Sequence, residues 1–541
     1  MKLEQRSIEH KHCTKGAAGE QAKWRRAATI VDFTGGCDKR EFGESDFGGG
    51  GDMREEGMNE LGKEHEFNEG EEFGGNESNS VGNHGEMVLV SSSNDRIKEM
   101  SIDRLETLPD YLLIHILSRL ETKEAAKTSV LSKRWQYLWT ETPSLSFEKN
   151  STDIEDTREL VTRIYRTLVH RTCSYLDRLY ISFTYDKCFA SDVNVWVEFS
   201  VRSKVKQLWL MLRSRTDFFY MIPQTMYSCC SFTELYLEGC ILEPHGTIHW
   251  KYLTELRIDG VELHEHVIQK IISSCPVLSS LTLTDCYGFE RLDIYSQSLH
   301  YLSVDDCEDE HSGVWIEISA PYLRQLFMSH WRGVRLPNIQ SLIHAEIQFD
   351  LTVDGVTEEE MIDMIYFLED IKHVKELKLG CRCIEVVSKL AENGWQLPKS
   401  TRERLTIETL SYKYIIPAIV VLLESSPRLE SLVALCFVDF APPGSTWDLV
   451  GWDDLACDLL HLKTVKLSDY ADPNLKGEPL LTIGRILLKR ATTLEKMVFD
   501  SSENLTESFV AEISQELLSY TRSSEKALVL YHPWPVFTLQ Q

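Results

Sequence analysis

The stretch that decides the fold runs from Asp103 to Asn150 and reads DRLETLPDYLLIHILSRLETKEAAKTSVLSKRWQYLWTETPSLSFEKN. Pro109 is a favoured first residue of a helix, because its φ is pre-set and it has no amide proton to leave unpaired. Apolar residues then recur at three- and four-residue steps and predict one stripe: Leu112, Leu113, Ile116, Leu117 and Leu120. Thr122 is expected to cap a second helix, and residues 132–139 are expected to form a third. Three short helices cannot bury all these side chains against one another, so the excess must contact something else.

The same segment resembles an F-box of the plant type. The residues that carry the resemblance are Leu108, Pro109, Leu112, Leu113, Ile116, Leu117, Ser118, Leu120, Ser129, Val130, Leu131, Ser132, Lys133, Arg134, Trp135, Leu138 and Trp139. The resemblance implies docking onto the small Skp-type adaptor subunit of a cullin–RING ubiquitin ligase. It also implies that eight side chains face the adaptor: Leu108, Pro109, Leu113, Ile116, Leu117, Val130, Leu131 and Trp135. An apolar stripe alone favours an ordinary three-helix core, but stripe, proline, LSKRW run and final tryptophan together favour the F-box.

Length and charge set limits on the chain as a whole. At 541 residues it is too long for one compact core, so two or more modules are expected. Its 57 basic and 84 acidic residues give a net charge of −27. This charge argues against binding to nucleic acid or to an anionic membrane surface, because both require a positive face. It permits a basic partner without demonstrating one.

Fourteen cysteines are scattered along the chain, and residues 1–20 lack the apolar centre of a signal peptide. The longest apolar run, residues 415–423, contains Pro417 and is far too short to span a membrane. These features predict free thiols in a reducing compartment, which means the cytoplasm, the nucleus or both.

Residues 1–100 differ in composition from the rest of the chain. They contain 16 of the 29 glycines, together with charged runs that have no apolar periodicity. Such a sequence buries too little apolar surface to offset chain entropy, so we expect a disordered tail. The basic run at residues 23–26 is a weak match to a nuclear address and is more typical of a solvated surface spot.

From residue 151 onwards the sequence repeats a unit of the form apolar-x-x-Leu-x-apolar. Its copies begin at residues 176, 205, 232, 253, 278, 299 and 323, and weaker copies begin at 374, 429, 462 and 494. The central copies are 21 to 25 residues apart, which lies within the leucine-rich-repeat range. Each unit predicts a short strand whose inward row cannot be buried alone. Neighbouring units should therefore stack into an irregular parallel solenoid.

A cysteine follows the predicted strand in three central units, at Cys240, Cys286 and Cys307. Leucine-rich repeats favour asparagine or cysteine there, since a small donor in the turn can satisfy backbone carbonyls of the adjacent coil. We therefore expect structural thiols at these positions rather than metal ligands. Residues 264–274, which end before Cys275 and Pro276, predict a helix on the convex side of the solenoid.

The segment 456–541 resembles the FBD domain that follows leucine-rich repeats in many plant F-box proteins. The resemblance rests on three short runs: Leu462-Lys463-Thr464-Val465, Leu487-Leu488-Lys489-Arg490-Ala491 and Leu494-Glu495-Lys496-Met497. Strands and helices are expected to alternate over residues 462–467, 479–490, 494–499, 508–520 and 527–531, closing the apolar end of the solenoid. The predicted fold is thus an α/β chain in four parts. They are a disordered tail (1–100), a three-helix F-box (101–150), a degenerate leucine-rich-repeat solenoid (151–455) and an FBD-like α/β cap (456–541).

No pattern in the sequence predicts a catalytic residue, a metal or a cofactor. The closely spaced cysteines lack two clean C-x-x-C knuckles of a zinc site: Cys229, Cys230, Cys240, Cys381 and Cys383. His245 and His249 lack the glutamate of the H-E-x-x-H motif. The acidic run 305–310 lacks the ordered spacing and glycine of a calcium loop.

The two resemblances favour one function over two alternatives. The favoured function is a non-catalytic substrate-recognition subunit of a Skp–cullin–F-box ubiquitin ligase. Its F-box would bind the Skp-type adaptor and, through it, the cullin–RING ligase, while the solenoid presents its concave surface to an unknown target protein. A hormone-like small-molecule receptor is the second hypothesis, although 44 basic and 63 acidic residues give residues 101–541 a net charge of −19. The third is an interaction scaffold whose F-box assembles no ligase.

Overall fold

The computed structural model describes residues 105, 107–171, 175–214, 218–307, 314–329, 331–348, 355–409, 412–437, 459–469, 478–501 and 515–533. All of them belong to the unit Glu99–Gln541. The predicted tail 1–100 lies outside the described residues, as does most of the predicted helix 508–520.

Fifteen of the described strands form one parallel sheet, in which each strand pairs with the next in chain order. They are β1 (Ser144–Lys149), β2 (Arg178–Tyr185), β3 (Gln207–Ser214), β5 (Glu234–Glu238), β7 (Glu255–Asp259), β8 (Ser280–Thr284), β10 (Tyr301–Asp305), β12 (Gln325–Ser329), β14 (His344–Gln348), β15 (Glu376–Leu379), β16 (Arg404–Thr409), β17 (Ser431–Cys436), β18 (Thr464–Asp469), β19 (Lys496–Ser501) and β20 (Leu528–Pro533). This main sheet confirms the predicted stacking of repeats into a solenoid.

Helices and two smaller parallel sheets make up the rest of the described structure. The helices are α1 (Asp110–Leu117), α2 (Thr122–Lys127), α3 (Ile154–His170), α4 (Ala190–Arg202), α5 (Gln224–Tyr227), α6 (Glu265–Ser274), α7 (Glu358–Asp370), α8 (Cys381–Glu392), α9 (Tyr412–Glu424) and α10 (Glu478–Arg490). The smaller sheets pair β4 (Tyr220–Met221) with β6 (Cys240–Ile241), and β9 (Arg291–Tyr295) with β11 (Val314–Ser319) and β13 (Trp331–Asn338). The helix predicted at 264–274 is confirmed by α6. Between β8 and β14 the connections are short, and each holds a strand in place of a helix.

Alternate residues of the main-sheet strands are buried, as in β5, where Leu235 and Leu237 point inward. One continuous apolar core extends from Leu145 in β1 to Ala527 before β20. The face that carries the other residues of each strand is called the open face below. Burial of this alternating row, rather than local propensity, is what stabilises such short strands.

A backbone ladder runs along the edge where the strands of the main sheet begin. From β2 to β19, the first strand residue and the residue before it both donate to one carbonyl oxygen, at 2.8–3.2 Å. For example, Thr233 and Glu234 donate to the carbonyl of Lys206, which itself donates to Asp177. We call this the carbonyl ladder. It continues through β17, β18 and β19, on both sides of the predicted boundary between solenoid and cap.

At the opposite edge, four strands are followed by a residue with positive φ: Gly239 (66°), Gly260 (60°), Asp285 (51°) and Asp306 (52°). Glycine has no Cβ to clash in this conformation, and aspartate tolerates it better than most residues. Three of these N–H groups, those of Gly239, Gly260 and Asp285, donate to the end of the next strand. The left-handed residue thus extends the pairing of neighbouring repeats beyond the strand itself.

Cysteine follows the left-handed residue in three of these turns. The Cys286 thiol donates to the Ile258 carbonyl (3.6 Å), and the Cys307 thiol donates to the Leu283 carbonyl (3.7 Å). Both acceptors belong to the preceding repeat, which confirms the structural thiols predicted at these two positions. Among the described residues, the Cys240 thiol contacts the Glu238 carbonyl of its own repeat, at 3.4 Å, and no carbonyl of the preceding repeat.

Replacing Gly239 tests the left-handed turn. A Cβ at this position would lie 2.1 Å from the Leu212 carbonyl oxygen, in addition to the cost of its positive φ. We expect Gly239→Ala to reduce the free energy of unfolding by about 2–4 kcal/mol, measured by urea denaturation. Gly246→Ala is the matched control, because a Cβ there meets no atom within 4 Å. Equal urea midpoints for the two variants would contradict this account of the turn.

Alkylation tests the buried thiols. Burial, with a smaller contribution from Cys307, raises the pKa of the Cys286 thiol well above its ordinary value, so little thiolate is present at pH 8. In the native protein we expect iodoacetamide to modify Cys286 roughly a hundred-fold more slowly than the exposed Cys230, as measured by peptide mass spectrometry. In urea the two rates should converge. Rapid native-state modification of Cys286 would show that the turn opens freely.

Candidate functional site

The F-box segment folds with three local differences from the prediction. Pro109 precedes α1 as its cap residue rather than opening the helix. Thr122 does not cap α2; its hydroxyl accepts the Ser146 N–H of β1 at 2.8 Å. The third helix predicted over 132–139 is wrong: the chain forms short 3₁₀ turns at Thr128–Val130 and Leu138–Glu141. An eight-residue segment is too short to form a stable helix on its own, and tertiary contacts decide its path.

Three of the eight residues predicted to face an adaptor lie inside the F-box itself. Leu113, Leu117 and Trp135 are buried in a small core that also contains Ala125 and Leu138. Arg134 forms polar contacts across the outer edge of this core. Its Nη2 lies 2.6 Å from Asp110 Oδ1 and also donates to the Leu108 carbonyl, so it ties the LSKRW run to the start of α1.

The other five predicted residues reach the surface to different extents. Pro109 and Ile116 are exposed and Leu108 is half-buried. Val130 and Leu131 are 85% and 62% exposed, respectively. Which of the eight residues contact an adaptor stays a prediction. The side chains of Val130 and Leu131 do not pack into the core of the described F-box.

Exposed apolar residues are concentrated in this segment. Seven large apolar side chains between residues 105 and 137 are exposed: Leu105, Tyr111, Ile116, Leu120, Val130, Leu131 and Tyr137. Exposed apolar groups at this density are typical of a protein–protein interface rather than of an isolated domain surface. The excess apolar side chains expected from the sequence are therefore found on the outside of the F-box.

The open face of the main sheet carries a row of three aromatic rings from successive strands. Trp209 lies between Tyr180 and Tyr236, with ring centroids 5.8 Å and 5.9 Å away. Burial raises the pKa of the Tyr180 hydroxyl, and nearby Glu148 adds to this effect. The row was not predicted, although the sequence has an aromatic residue at the same position of three consecutive units.

A groove of about 660 Å³ lies farther along the same sheet, across β10, β12 and β14. Residues that line it include His300, Tyr301, Arg324, Phe327, Ile343 and His344. The groove was not predicted, because its walls come from separate repeats and β14 was not predicted. Its size is in the range of pockets that bind small molecules or individual side chains.

Among the described residues, no group of three or more His, Cys, Asp or Glu side chains is arranged to hold a metal ion. The helices that the structure describes are also too short or too polar to cross a membrane.

A segment of F-box character joined to a solenoid of leucine-rich repeats defines the class of F-box/LRR-repeat proteins. The F-box domain family model matches residues 105–146. A second family model, described as FBD-associated F-box protein At5g56370, LRR repeats, matches residues 193–347. The two family models therefore cover both parts of the architecture described above.

Individual relatives agree with the family models. The chain is 31% identical to F-box/LRR-repeat protein At5g02910 of Arabidopsis thaliana, over 61% of this chain and 71% of the relative. It is 30% identical to F-box/LRR-repeat protein At3g03360 of the same plant, over 61% and 70% of the two chains. Putative F-box/LRR-repeat protein At3g18150, also from Arabidopsis thaliana, is 28% identical over 74% of this chain and 87% of its own length. The chain belongs to the F-box/LRR-repeat family.

The division of the F-box into core and surface can be tested with one substitution in each. Leu117 is 1% exposed, so we expect Leu117→Asp to destabilise the F-box by more than about 3 kcal/mol, because it buries an unpaired charge. Hydrogen exchange of the α1 amides should become fast in this variant. Val130→Asp is the control, and α1 exchange should be unchanged in it. Protected α1 amides in Leu117→Asp would place Leu117 outside the core.

Proposed function

We propose that this protein is the substrate-recognition subunit of a Skp–cullin–F-box ubiquitin ligase. The observation that carries the proposal is the concentration of exposed apolar side chains on a segment that matches the F-box domain. F-box domains bind Skp-type adaptors, and through them the cullin–RING ligase. The surface residues Val130 and Leu131 are the side chains we expect to enter that interface.

The junction between the F-box and the solenoid supports a role in positioning. The Thr122 hydroxyl accepts the Ser146 N–H of β1, and Arg171 Nη1 donates to the Thr142 carbonyl at 2.8 Å. Pro143 supplies the first acceptor of the carbonyl ladder. The F-box is therefore hydrogen-bonded to the first two strands of the main sheet. A target bound to the open face would be held at a defined place relative to the adaptor, which raises the effective concentration of its lysines.

The open face is the surface we propose for the target protein. Its aromatic row, Tyr180, Trp209 and Tyr236, has the composition of interface residues that contribute most binding energy. In this proposal the chain performs no chemistry of its own. The ten cysteines that the structure describes are free thiols, which supports our placement of the protein in the cytoplasm or the nucleus.

Adaptor capture tests the proposal with substitutions that leave the F-box core intact. We expect tagged protein from plant cells to co-purify with a Skp-type adaptor and a cullin. The double variant Val130→Asp, Leu131→Asp should lose at least about 90% of this adaptor, because two charges enter an apolar interface. Val169→Asp is the matched control, since Val169 is 79% exposed on α3, outside the F-box.

The outcomes separate the proposal from its alternatives. Loss of adaptor in the double variant, with retention in Val169→Asp, supports assembly of a ligase through the F-box surface. Absence of both adaptor and cullin with the wild-type protein would favour a scaffold that assembles no ligase. Proteins that the double variant still captures are candidates for the target.

A further inference from the structure

Near both ends of the edge where the carbonyl ladder runs, charged side chains of adjacent repeats form ion pairs. Three lysines, each immediately before a strand of the main sheet, contact the carboxylate at the same position of an adjacent strand. The pairs are Lys206 with Asp177 (3.0 Å), Lys375 with Glu403 (2.8 Å) and Lys463 with Glu430 (2.9 Å). Arg324 occupies the same position but lies between His300 and Ile343. Its guanidinium has no hydrogen-bond or ion-pair partner among the described residues.

The two carboxylates that line the neighbouring groove, Glu346 and Glu376, have cationic partners other than Arg324. Glu346 pairs with Lys378 at 2.7 Å, and Lys378 also pairs with Glu408 at 2.9 Å. Glu376 pairs with Arg404 and also contacts His344 Nδ1 at 3.3 Å, and these contacts lower its pKa, Arg404 having the larger effect. Neither carboxylate pairs with Arg324, so among the described lining residues its guanidinium is the cation available to a ligand.

The two histidines add hydrogen-bond acceptors. His300 Nδ1 lies 2.8 Å from the Ser298 carbonyl oxygen, and His344 Nδ1 faces the Glu376 carboxylate. Both neighbours are acceptors, which places a proton on Nδ1 of each ring and makes Nε2 an acceptor in the neutral tautomer. The Nε2 atoms are then left to accept a hydrogen bond from a ligand N–H.

Apart from Gln325, the remaining residues that line the groove are apolar or aromatic. Tyr301 and Ile343 expose 36% and 42% of their surface, and half-buried Phe327 lies on β12, between β10 and β14. An aromatic or aliphatic side chain placed against these three residues would bury apolar surface on both partners. The groove thus combines an apolar wall, one unpaired cation and acceptors for N–H groups.

We propose that this groove binds an acidic residue next to an apolar residue in an extended segment of the target protein. The carboxylate pairs with Arg324, the apolar side chain packs on Tyr301, Phe327 and Ile343, and backbone N–H groups donate to the histidines. A free carboxylic acid would leave the histidine acceptors unused, which is why the proposal commits to a peptide. It rests on the proposed role of the open face in target recognition and adds the chemistry of the recognised residues.

A peptide array probes the groove directly. The probes are nine-residue peptides, acetylated and amidated, with a central phenylalanine in an alanine–serine background and each of the twenty residues beside it. Full-length wild-type protein should bind the Glu and Asp peptides about ten- to a hundred-fold more tightly than the Gln and Lys peptides, the range expected for a charge-assisted pair. Arg324→Gln should bind the Glu and Gln peptides equally. Arg428→Gln is the matched control, because Arg428 is also exposed and unpaired among the described residues but lies away from the groove.

Every outcome of the array decides the proposal. Equal wild-type binding of the Glu, Gln and Lys peptides overturns it, as does a Glu preference that survives in Arg324→Gln. Sodium benzoate that competes as effectively as the Glu peptide overturns the assignment to a peptide and favours a small acid. Adaptor capture by Arg324→Gln is measured in parallel and should equal that of the wild type, so loss of the peptide preference is distinguishable from failure of the ligase proposal.

Discussion

The structure depends on one backbone arrangement, the sharing of a carbonyl oxygen by two N–H groups where each strand of the main sheet begins. Because the acceptor of one repeat is also a donor to the repeat before it, no repeat can satisfy its backbone alone. The first acceptor is Pro143, which has no N–H. The ladder therefore starts without an unpaired donor at the point where the F-box ends. At the far end, Leu528 alone donates to Glu495, and the doubled pattern stops.

Stacking of this kind buries whatever side chain occupies an inward position, and two arginines show how differently the chain accommodates this. Arg382 is almost fully buried and forms ion pairs with Glu360 and Glu385, joining α7 to α8. Arg402 has no carboxylate partner among the described residues. Its Nη1 donates to the Ser426 hydroxyl, and burial lowers the pKa of its guanidinium to about 10. Ser426 follows the last turn of α9, whose C-terminal carbonyls favour a nearby positive charge.

Arg402 also explains why one strand of the main sheet could not be predicted from the sequence. Eleven main-sheet strands with apolar residues at the repeat positions were predicted correctly: β2, β3, β5, β7, β8, β10, β12, β15, β17, β18 and β19. β9 has the same pattern at Phe289, Leu292 and Ile294 and was not predicted. β16 was missed because Arg402 stands where an apolar residue was expected, and β14 was missed because Ala345 replaces the leucine. Both positions are inward-facing and are filled by tertiary packing that a pattern of leucines does not describe. Since His344 begins β14 and Ile343 immediately precedes it, the groove could not be predicted either.

The F-box was evident from the sequence, but which of its apolar side chains point into the core and which point outward was not. Ile116 and Leu117 are adjacent on α1, yet Leu117 is in the core and Ile116 is exposed. The apolar stripe serves two surfaces at once, and spacing alone does not assign a residue to either. The assignment comes from the short turns after α2, which bring Trp135 and Leu138 against Leu113 and Leu117. Val130 and Leu131 lie at the first of these turns and are left outside, so the packing that closes the core also creates the surface available to a partner.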